Sequence, residues 1–303
     1  MRIVICSEDA CILRSFLKER LHLSTRAVSR LKQKPHGILL NGAPVTVRAQ
    51  LRAGDELTLA LDDEKANDNL VPSDLPLSIL YEDDALVLCN KESGMPTHPS
   101  HGHYEDTLAN ALAHRYASAP FIFRAITRLD RETSGVVLVA RDAHSAHLLS
   151  EEMQGGGMEK VYFALVEGTP PASGEIALPI RRKPHSVMLR EIHEEGAHAL
   201  TRFRRLSASP THALLAVFPQ TGRTHQIRLH LSHMGFPIVG DALYGREGEG
   251  FARTMLHAAR LSFRHPASGA AFSVFAPLPE DFLAALDRLS LTAPTEKDTL
   301  PTE

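Results

Sequence analysis

The sequence predicts a mixed α+β protein with a small N-terminal domain and a larger second domain. Apolar residues recur at helical spacing in some segments and at strand spacing in others. A length of 303 residues exceeds the usual size of one domain, and 43% hydrophobic residues are enough for a real core. We expect a small domain over residues 1–65, a linker over 66–76, a larger domain over 77–290 and a disordered tail over 291–303.

The N-terminal segment has the pattern of two helices followed by a hairpin. Apolar residues from Ile12 to Leu21 recur at helical spacing, and Ser24 is suited to cap a second helix. Asn41-Gly42 then predicts a tight turn after the apolar residues 38–40. Further strand positions are expected where apolar residues alternate, at Val45, Val47, Leu57, Leu59 and Leu61.

Residues 66–76 are polar and interrupted by prolines, which is typical of a linker. Beyond them, residues 79–81 and 85–89 flank an acidic turn and have the composition of paired strands. After a long irregular loop, Asp106 or Thr107 is suited to cap a helix.

Charge is distributed unevenly along the chain. The net charge of −3 argues against a polyanion-binding protein of the simplest kind. Residues 14–34, however, carry seven basic side chains against the single acidic Glu19, whereas residues 62–84 are strongly acidic. The average therefore hides a basic segment. The alternative is that this basic segment is an ordinary solvated helix face.

Composition gives no sign of disulfides, membrane insertion or a metal centre. Three cysteines without C-x-x-C spacing indicate reduced thiols and a cytoplasmic protein. No apolar run approaches the roughly 20 residues that span a bilayer. His98, His101 and His103 lie close together, but no carboxylate or cysteine follows at a clear ligand spacing, so we expect no metal site.

The most informative segment is the octapeptide RLDRETSG at residues 128–135, in which Asp130 stands between two arginines. It precedes the β-branched apolar run 136–139, which predicts a buried strand entered through Gly135. Flanking arginines would favour an ionised carboxylate and suit a polyanionic substrate. An ionised aspartate can act as a nucleophile or base. The alternative is a turn in which Asp130 merely caps a loop.

Four segments resemble the RluA-type pseudouridine synthases, in the order of that family. They are RLDRETSGVVLVAR (128–141), EKVYFALVEG (159–168), TGRTHQIRLHLSHMGFPIVGDALYG (221–245) and MLHAARLSFRHP (255–266). The resemblance covers about residues 70 to 280. It implies an antiparallel-rich central sheet around a catalytic cleft, RNA as the substrate, and isomerisation of uridine without a cofactor. No obligatory protein partner is implied, and we expect a monomer.

The N-terminal segments SRLKQKPHGILLNGAPV and AGDELTL resemble, in their order, the small RNA-binding domain shared with a ribosomal small-subunit protein. This resemblance implies that the basic segment contacts RNA. The residues expected to do so are Arg26, Arg30, Lys32 and Lys34.

The family resemblance also implies roles for individual residues. Asp130 matches the nucleophile, which acts at the sugar or at the base. Arg228 matches its basic partner, and Tyr162 is expected to stack on an extruded uracil and to accept a proton from the ribose. Substrate contacts are expected from Arg128, Leu256 and Arg223. Without the resemblance, Tyr162 and Leu256 are equally compatible with core positions and Arg228 with a strand surface.

Two other functions are weighed against this one. A non-catalytic RNA-binding or ribosome-assembly factor on the same fold predicts loss of the nucleophile or its partners, yet Asp130, Tyr162 and Arg228 are all present. A hydrolase using Asp130 would need a second carboxylate or a triad partner at a recognisable spacing. Ribosomal RNA is the favoured target and transfer RNA the alternative.

Overall fold

The computed structural model describes residues 2–21, 23, 25–60, 70–118, 121–245 and 250–300. Residues 2–60 contain an antiparallel sheet of order β1-β4-β2-β3. Its strands are β1 Arg2–Val4, β2 Ile38–Leu40, β3 Ala43–Pro44 and β4 Glu56–Leu59. Helix α1, Leu13–Ser15, continues as a π-helical turn over Phe16–Arg20, and α2 spans Thr25–Gln33. Side chains from these helices and strands share one hydrophobic core, to which Leu17, Leu31 and Leu57 belong.

The second hairpin strand is shorter than we predicted. Pro44 has no N–H to donate, and after Val45 the chain leaves the sheet. The carbonyls of Val47 and Ala49 instead accept hydrogen bonds from the backbone at the start of α1. The prediction of strand at Val45 and Val47 was therefore wrong. Ser24 and Leu61 lie outside the described residues.

The rest of the chain is built on a sheet of ten strands. Its order is β10-β13-β14-β9-β15-β8-β6-β5, with β16 added on β15 and β7 on β8. Among the strands that the structure describes, only β15 and β8 pair in parallel, so the predicted α+β fold with an antiparallel-rich sheet is confirmed. The strands are β5 Ser78–Glu82, β6 Leu86–Lys91, β7 Arg124–Ala125, β8 Ser134–Ala140, β9 Glu159–Glu167, β10 Ser173–Ala177, β13 Leu200–Ala208, β14 His212–Pro219, β15 Leu256–Arg264 and β16 Ala271–Phe275.

A separate two-stranded hairpin is formed by β11, Ile180–Arg182, and β12, Arg190–Ile192. The helices of this part are α3 Leu108–Arg115, α4 Ala143–Gln154, α5 Gln226–His233 and α6 Glu280–Arg288. Thr107 caps α3 by accepting a hydrogen bond from the Asn110 backbone, as its position predicted. No helix within the described ranges is both long and apolar enough to cross a bilayer.

Strand β8 is buried on both faces, which explains its unbroken apolar run. Val136 and Leu138 pack into one core cluster with Leu149 of α4. Val137 and Val139 pack into another, together with α3. A strand covered on both faces needs no polar alternation. This rigid strand anchors the loop that carries Asp130.

Gly135 is required where β15 approaches β8. Its φ is +113°, and a Cβ added there would lie 2.2 Å from the Ala258 carbonyl oxygen. Only glycine permits this conformation and this approach. The parallel pairing of Gly135 with Ala258 brings the start of β15 beside the Asp130 loop.

The C-terminal segment differs from the predicted disordered tail. Residues 291–300 run along β13, where Arg204 donates to the Asp298 carbonyl at 2.9 Å. Leu291 and Thr299 are buried. Hydrogen bonds to the sheet and burial of Leu291 fix a segment that its polar composition alone assigned to a tail. Residues 301–303 lie outside the described residues, as does the first domain boundary, which stays a prediction.

Candidate active site

Asp130 lies in the loop that joins β7 to β8. The Asp130 carbonyl accepts a hydrogen bond from the Thr133 backbone at 3.1 Å, which closes a turn. Thr97 holds the preceding residue, because its hydroxyl donates to the Leu129 carbonyl at 3.0 Å and accepts from the Leu129 N–H. The backbone is thus fixed on both sides of Asp130. Its side chain remains 21% exposed and faces a cavity.

Arg228 joins Asp130 to a second carboxylate. Its Nη1 donates to Asp130 Oδ2 at 3.3 Å, while Nε and Nη2 donate to the two oxygens of Asp241 at 2.7 and 2.6 Å. Arg228 lies on α5 rather than on a strand surface, and its side chain is 5% exposed. Burial alone would raise the pKa of Asp241, but hydrogen bonds and charge from Arg228 outweigh it and lower that pKa. Asp241 therefore stays anionic and orients Arg228.

The cavity beside Asp130 has a volume of about 270 Å³. All six residues predicted for catalysis or substrate contact line it, although they come from four separate segments of the chain. They are Arg128, Asp130, Tyr162, Arg223, Arg228 and Leu256. The described residues thus bring the predicted set together around one opening.

Tyr162 lies on β9, and both Tyr162 and Lys160 line the cavity. Burial, followed by the charge of Asp130, raises the pKa of Tyr162 well above its ordinary value. The phenol is therefore protonated at neutral pH. It can stack on a base and donate a hydrogen bond, but it can accept a proton only after losing its own.

Comparison with known proteins identifies the family. A family model for RNA pseudouridylate synthases matches residues 85–233. RNA pseudouridine synthase YjbO of Bacillus subtilis is 34% identical over 264 residues, which cover 86% of this chain and 93% of that protein. The chain belongs to the RluA-type RNA pseudouridine synthases. It is therefore an isomerase.

Two further comparisons agree with this assignment. Ribosomal large subunit pseudouridine synthase D of Xanthomonas campestris is 35% identical over 279 residues, covering 86% of this chain and 84% of that protein. The structure of human RNA pseudouridylate synthase domain containing 4 superposes with a TM-score of 0.59 at 28% identity. That superposition covers 72% of this chain and 95% of the human one.

Lys91 supports the Asp130 loop of this pseudouridine synthase from below. It ends β6, is 1% exposed, and donates to the carbonyls of Glu92, Met95 and Arg131 at 2.8, 2.7 and 3.1 Å. Burial lowers its pKa to about 7, against the opposing charge of Asp130. Sequence reasoning did not assign it a role. Its only signal was a lysine closing a buried apolar strand.

The flanking arginines do not pair with Asp130 as expected. Arg131 donates to Glu132 at 2.9 Å and contacts His103, while Arg128 is exposed at the rim of the cavity. The cation that contacts the Asp130 carboxylate is instead Arg228, 98 residues away in the chain.

Arg223 precedes α5, is exposed and lines the cavity. Its Nε donates to the His198 carbonyl at 3.0 Å, and its backbone N–H donates to the Gln226 side chain. Residue 221 forms a bend, in which the Thr221 hydroxyl donates to the Gln226 side-chain oxygen at 2.7 Å.

The basic residues of the N-terminal segment are on and just after α2. Arg30 and Lys32 are exposed, and Lys34 is half-buried. The side chain of Arg26 lies outside the described residues. The described side chains of Arg30, Lys32 and Lys34 do not line the cavity beside Asp130.

Within the described ranges, no group of three or more histidine, cysteine or acidic side chains is arranged to hold a metal ion. In the loop with three nearby histidines, the His98 ring packs edge-on against Phe123. His103 is hydrogen-bonded to Asp106 at 2.5 Å.

Proposed function

We propose that this enzyme isomerises specific uridines of ribosomal RNA, with Asp130 as the nucleophile and Arg228 and Tyr162 as its catalytic partners. The observation that carries the proposal is the contact of Asp130 Oδ2 with Arg228 Nη1, 3.3 Å apart, at the mouth of a cavity of about 270 Å³. An anionic, oriented carboxylate beside a base-sized cavity suits this chemistry. The ribosomal target follows the name of the Xanthomonas relative, and transfer RNA is the alternative.

The reaction breaks the bond between ribose C1′ and base N1 and forms one between C1′ and base C5. N1 gains a proton and C5 loses one, so atoms and oxidation state are conserved and no cofactor is needed. Asp130 attacks the sugar or the base. In each case Arg228 orients it through the 3.3 Å contact, and Asp241 keeps Arg228 in place.

The uracil must leave its RNA helix to reach Asp130, and unstacking it costs a few kcal/mol. Tyr162 and Leu256 line the cavity and offer an aromatic ring and an apolar surface that replace the lost stacking. Arg128 and Arg223 lie at the opening, where their guanidinium groups suit the phosphates on either side of the extruded nucleotide.

Binding of the surrounding RNA falls in part to residues 1–65, which we propose as a separate RNA-binding domain joined by a linker over 66–76. Arg26, Arg30, Lys32 and Lys34 would contact phosphates. Such contacts add affinity without base specificity. The enzyme would work as a cytoplasmic monomer.

Pseudouridine mapping tests the proposed target. Total RNA from cells with and without the gene is compared, and purified enzyme is then added to the unmodified RNA. We expect one or a few ribosomal sites to be absent without the gene and restored by the enzyme. Sites that are lost from transfer RNA alone would contradict the ribosomal assignment.

A further inference from the structure

His225 has an unusual backbone conformation beside the catalytic carboxylate. Its φ of 58° and ψ of 19° lie in the left-handed region, which asparagine and glycine adopt more readily. This conformation is strained for a residue with a side chain such as histidine, so the surrounding structure must hold it there. The conformation points the imidazole toward the cavity, where its side chain is 12% exposed.

The two ring nitrogens of His225 face different partners. Nδ1 lies 3.0 Å from the Tyr244 hydroxyl, and Nε2 lies 3.9 Å from Asp130 Oδ2. The same hydroxyl accepts a hydrogen bond from the Arg190 backbone N–H at 2.8 Å. Because that N–H occupies one lone pair of the phenol, the hydrogen of the hydroxyl is free to be donated to Nδ1.

This arrangement favours one tautomer of His225. When Tyr244 donates to Nδ1, a neutral imidazole carries its proton on Nε2 and directs that N–H toward Asp130. Burial lowers the pKa of His225, against the opposing charge of Asp130 and in the same direction as Arg228 and Arg190. The ring is therefore neutral at physiological pH.

Asp241 stabilises both of the residues that contact Asp130, Arg228 directly and His225 through Tyr244. Its carboxylate holds Arg228, and its Oδ1 also accepts hydrogen bonds from the backbone of Leu243 at 2.9 Å and Tyr244 at 3.1 Å. Tyr244 is thus placed by the same carboxylate that orients the arginine. A closed ring of contacts results, running from Asp130 through Arg228, Asp241, Tyr244 and His225 back to Asp130.

We infer that His225 is a positioning residue for the reaction. Its Nε2–H, in a tautomer set by Tyr244, holds Asp130 at Oδ2, the same oxygen that Arg228 contacts. The inference rests on the proposed function of Asp130. The 3.9 Å separation closes to a hydrogen bond when RNA fills the cavity, as catalytic contacts commonly tighten on substrate binding.

Two substitutions at His225 separate this role from a backbone role. In His225→Gln the amide nitrogen can take the place of Nε2 and still donate to Asp130, whereas in His225→Asn it reaches only the place of Nδ1. Asparagine, however, fits the left-handed backbone better than glutamine. We expect the Asn variant to be at least as stable as the Gln variant. Its kcat should nevertheless be about 100-fold below wild type, with KM for RNA nearly unchanged.

The Gln variant should keep most of the wild-type kcat. Equal kcat in the two variants, or a higher kcat in the Asn variant, would overturn the inference. Matched controls are His233→Asn and His233→Gln, at the exposed end of the same helix. Loss of activity in Asp130→Asn, measured alongside, tests the proposed function separately.

Tyr244→Phe tests the tautomer. Without the hydroxyl, Nδ1 can take the proton and Nε2 then presents a lone pair to Asp130. We expect kcat to fall in the wild-type background and to fall by a much smaller factor in the His225→Gln background, since glutamine has no tautomer to set. The unpaired Arg190 N–H is common to both backgrounds. The same factor in both would contradict the role of Tyr244.

Discussion

Replacing Arg228 by methionine should destabilise the fold and abolish activity by two separable effects. The change removes the donors to Asp130 and the paired bonds to Asp241. The Asp241 side chain is 0% exposed, so its charge is left in the protein with only the backbone N–H groups of Leu243 and Tyr244. Removing one partner of a buried ion pair destabilises a protein by about 3–5 kcal/mol. We expect a loss in that range.

The double variant Arg228→Met with Asp241→Asn provides the matched control. In the single variant the Asp241 carboxylate is left without a cation, and the double variant removes that charge. We therefore expect the double variant to recover part of the free energy of unfolding, because a buried ion pair can be replaced by neutral groups at little cost. It should not recover activity, since Asp130 still lacks its cation. Urea unfolding followed by circular dichroism measures stability, and single-turnover pseudouridine formation measures activity.

Two results would refute this reasoning. A loss below about 1 kcal/mol in the single variant would mean that Asp241 is not an uncompensated buried charge. Substantial activity in the double variant would mean that Asp130 does not need Arg228.

Two further predictions concern RNA binding and pH. Changing Arg26, Arg30, Lys32 and Lys34 to glutamine should weaken RNA binding and flatten its dependence on salt, because fewer counterions are released. Single-turnover rates at saturating RNA should stay near those of the wild type. If a filter-binding assay shows unchanged affinity and an unchanged salt slope, the basic segment is only a solvated helix face. Burial lowers the pKa of His257 from an ordinary 6.5 to about 4. Between these two pH values, His257 is protonated in the unfolded chain and neutral in the folded protein. The free energy of unfolding is therefore unaffected by this group above about pH 6.5, and it falls by up to about 3 kcal/mol as the pH is lowered toward 4. Urea unfolding at several pH values should show this loss and show it reduced in His257→Gln, and an equal pH dependence in both proteins would contradict it.

Local patterns predicted much of the fold. The helical spacing before Leu21, the turn at Asn41-Gly42 and the strand after Gly135 are each determined by neighbouring residues, and each is found in the structure. The order of strands in the large sheet depends on pairings between distant segments, such as β15 with β8 and β9, which no local pattern specifies. The ordered segment over 291–300 depends in the same way on contacts with β13.

The candidate site was predictable where a motif carried it. Asp130, Tyr162, Arg228 and Leu256 stood in recognisable segments and line one cavity. Lys91 was missed because its role is to bind backbone carbonyls, including one 40 residues away, which a sequence pattern does not reveal. Asp241, Tyr244 and His225 all lie within the segment 221–245, which resembles the family. The sequence did not show that they contact one another, because those contacts depend on the folded structure.

Single-turnover pseudouridine formation by Asp130→Asn tests the central claim most directly. The amide keeps the shape of the side chain and loses its charge and nucleophilicity, so the variant should fold and bind RNA like the wild type. Extracted ribosomal RNA that lacks the modification serves as substrate, and unfolding and RNA binding are measured on the same preparations. We expect no pseudouridine above background with the variant and full conversion with the wild type. Conversion by Asp130→Asn at the wild-type rate would contradict the assignment of Asp130 as the nucleophile.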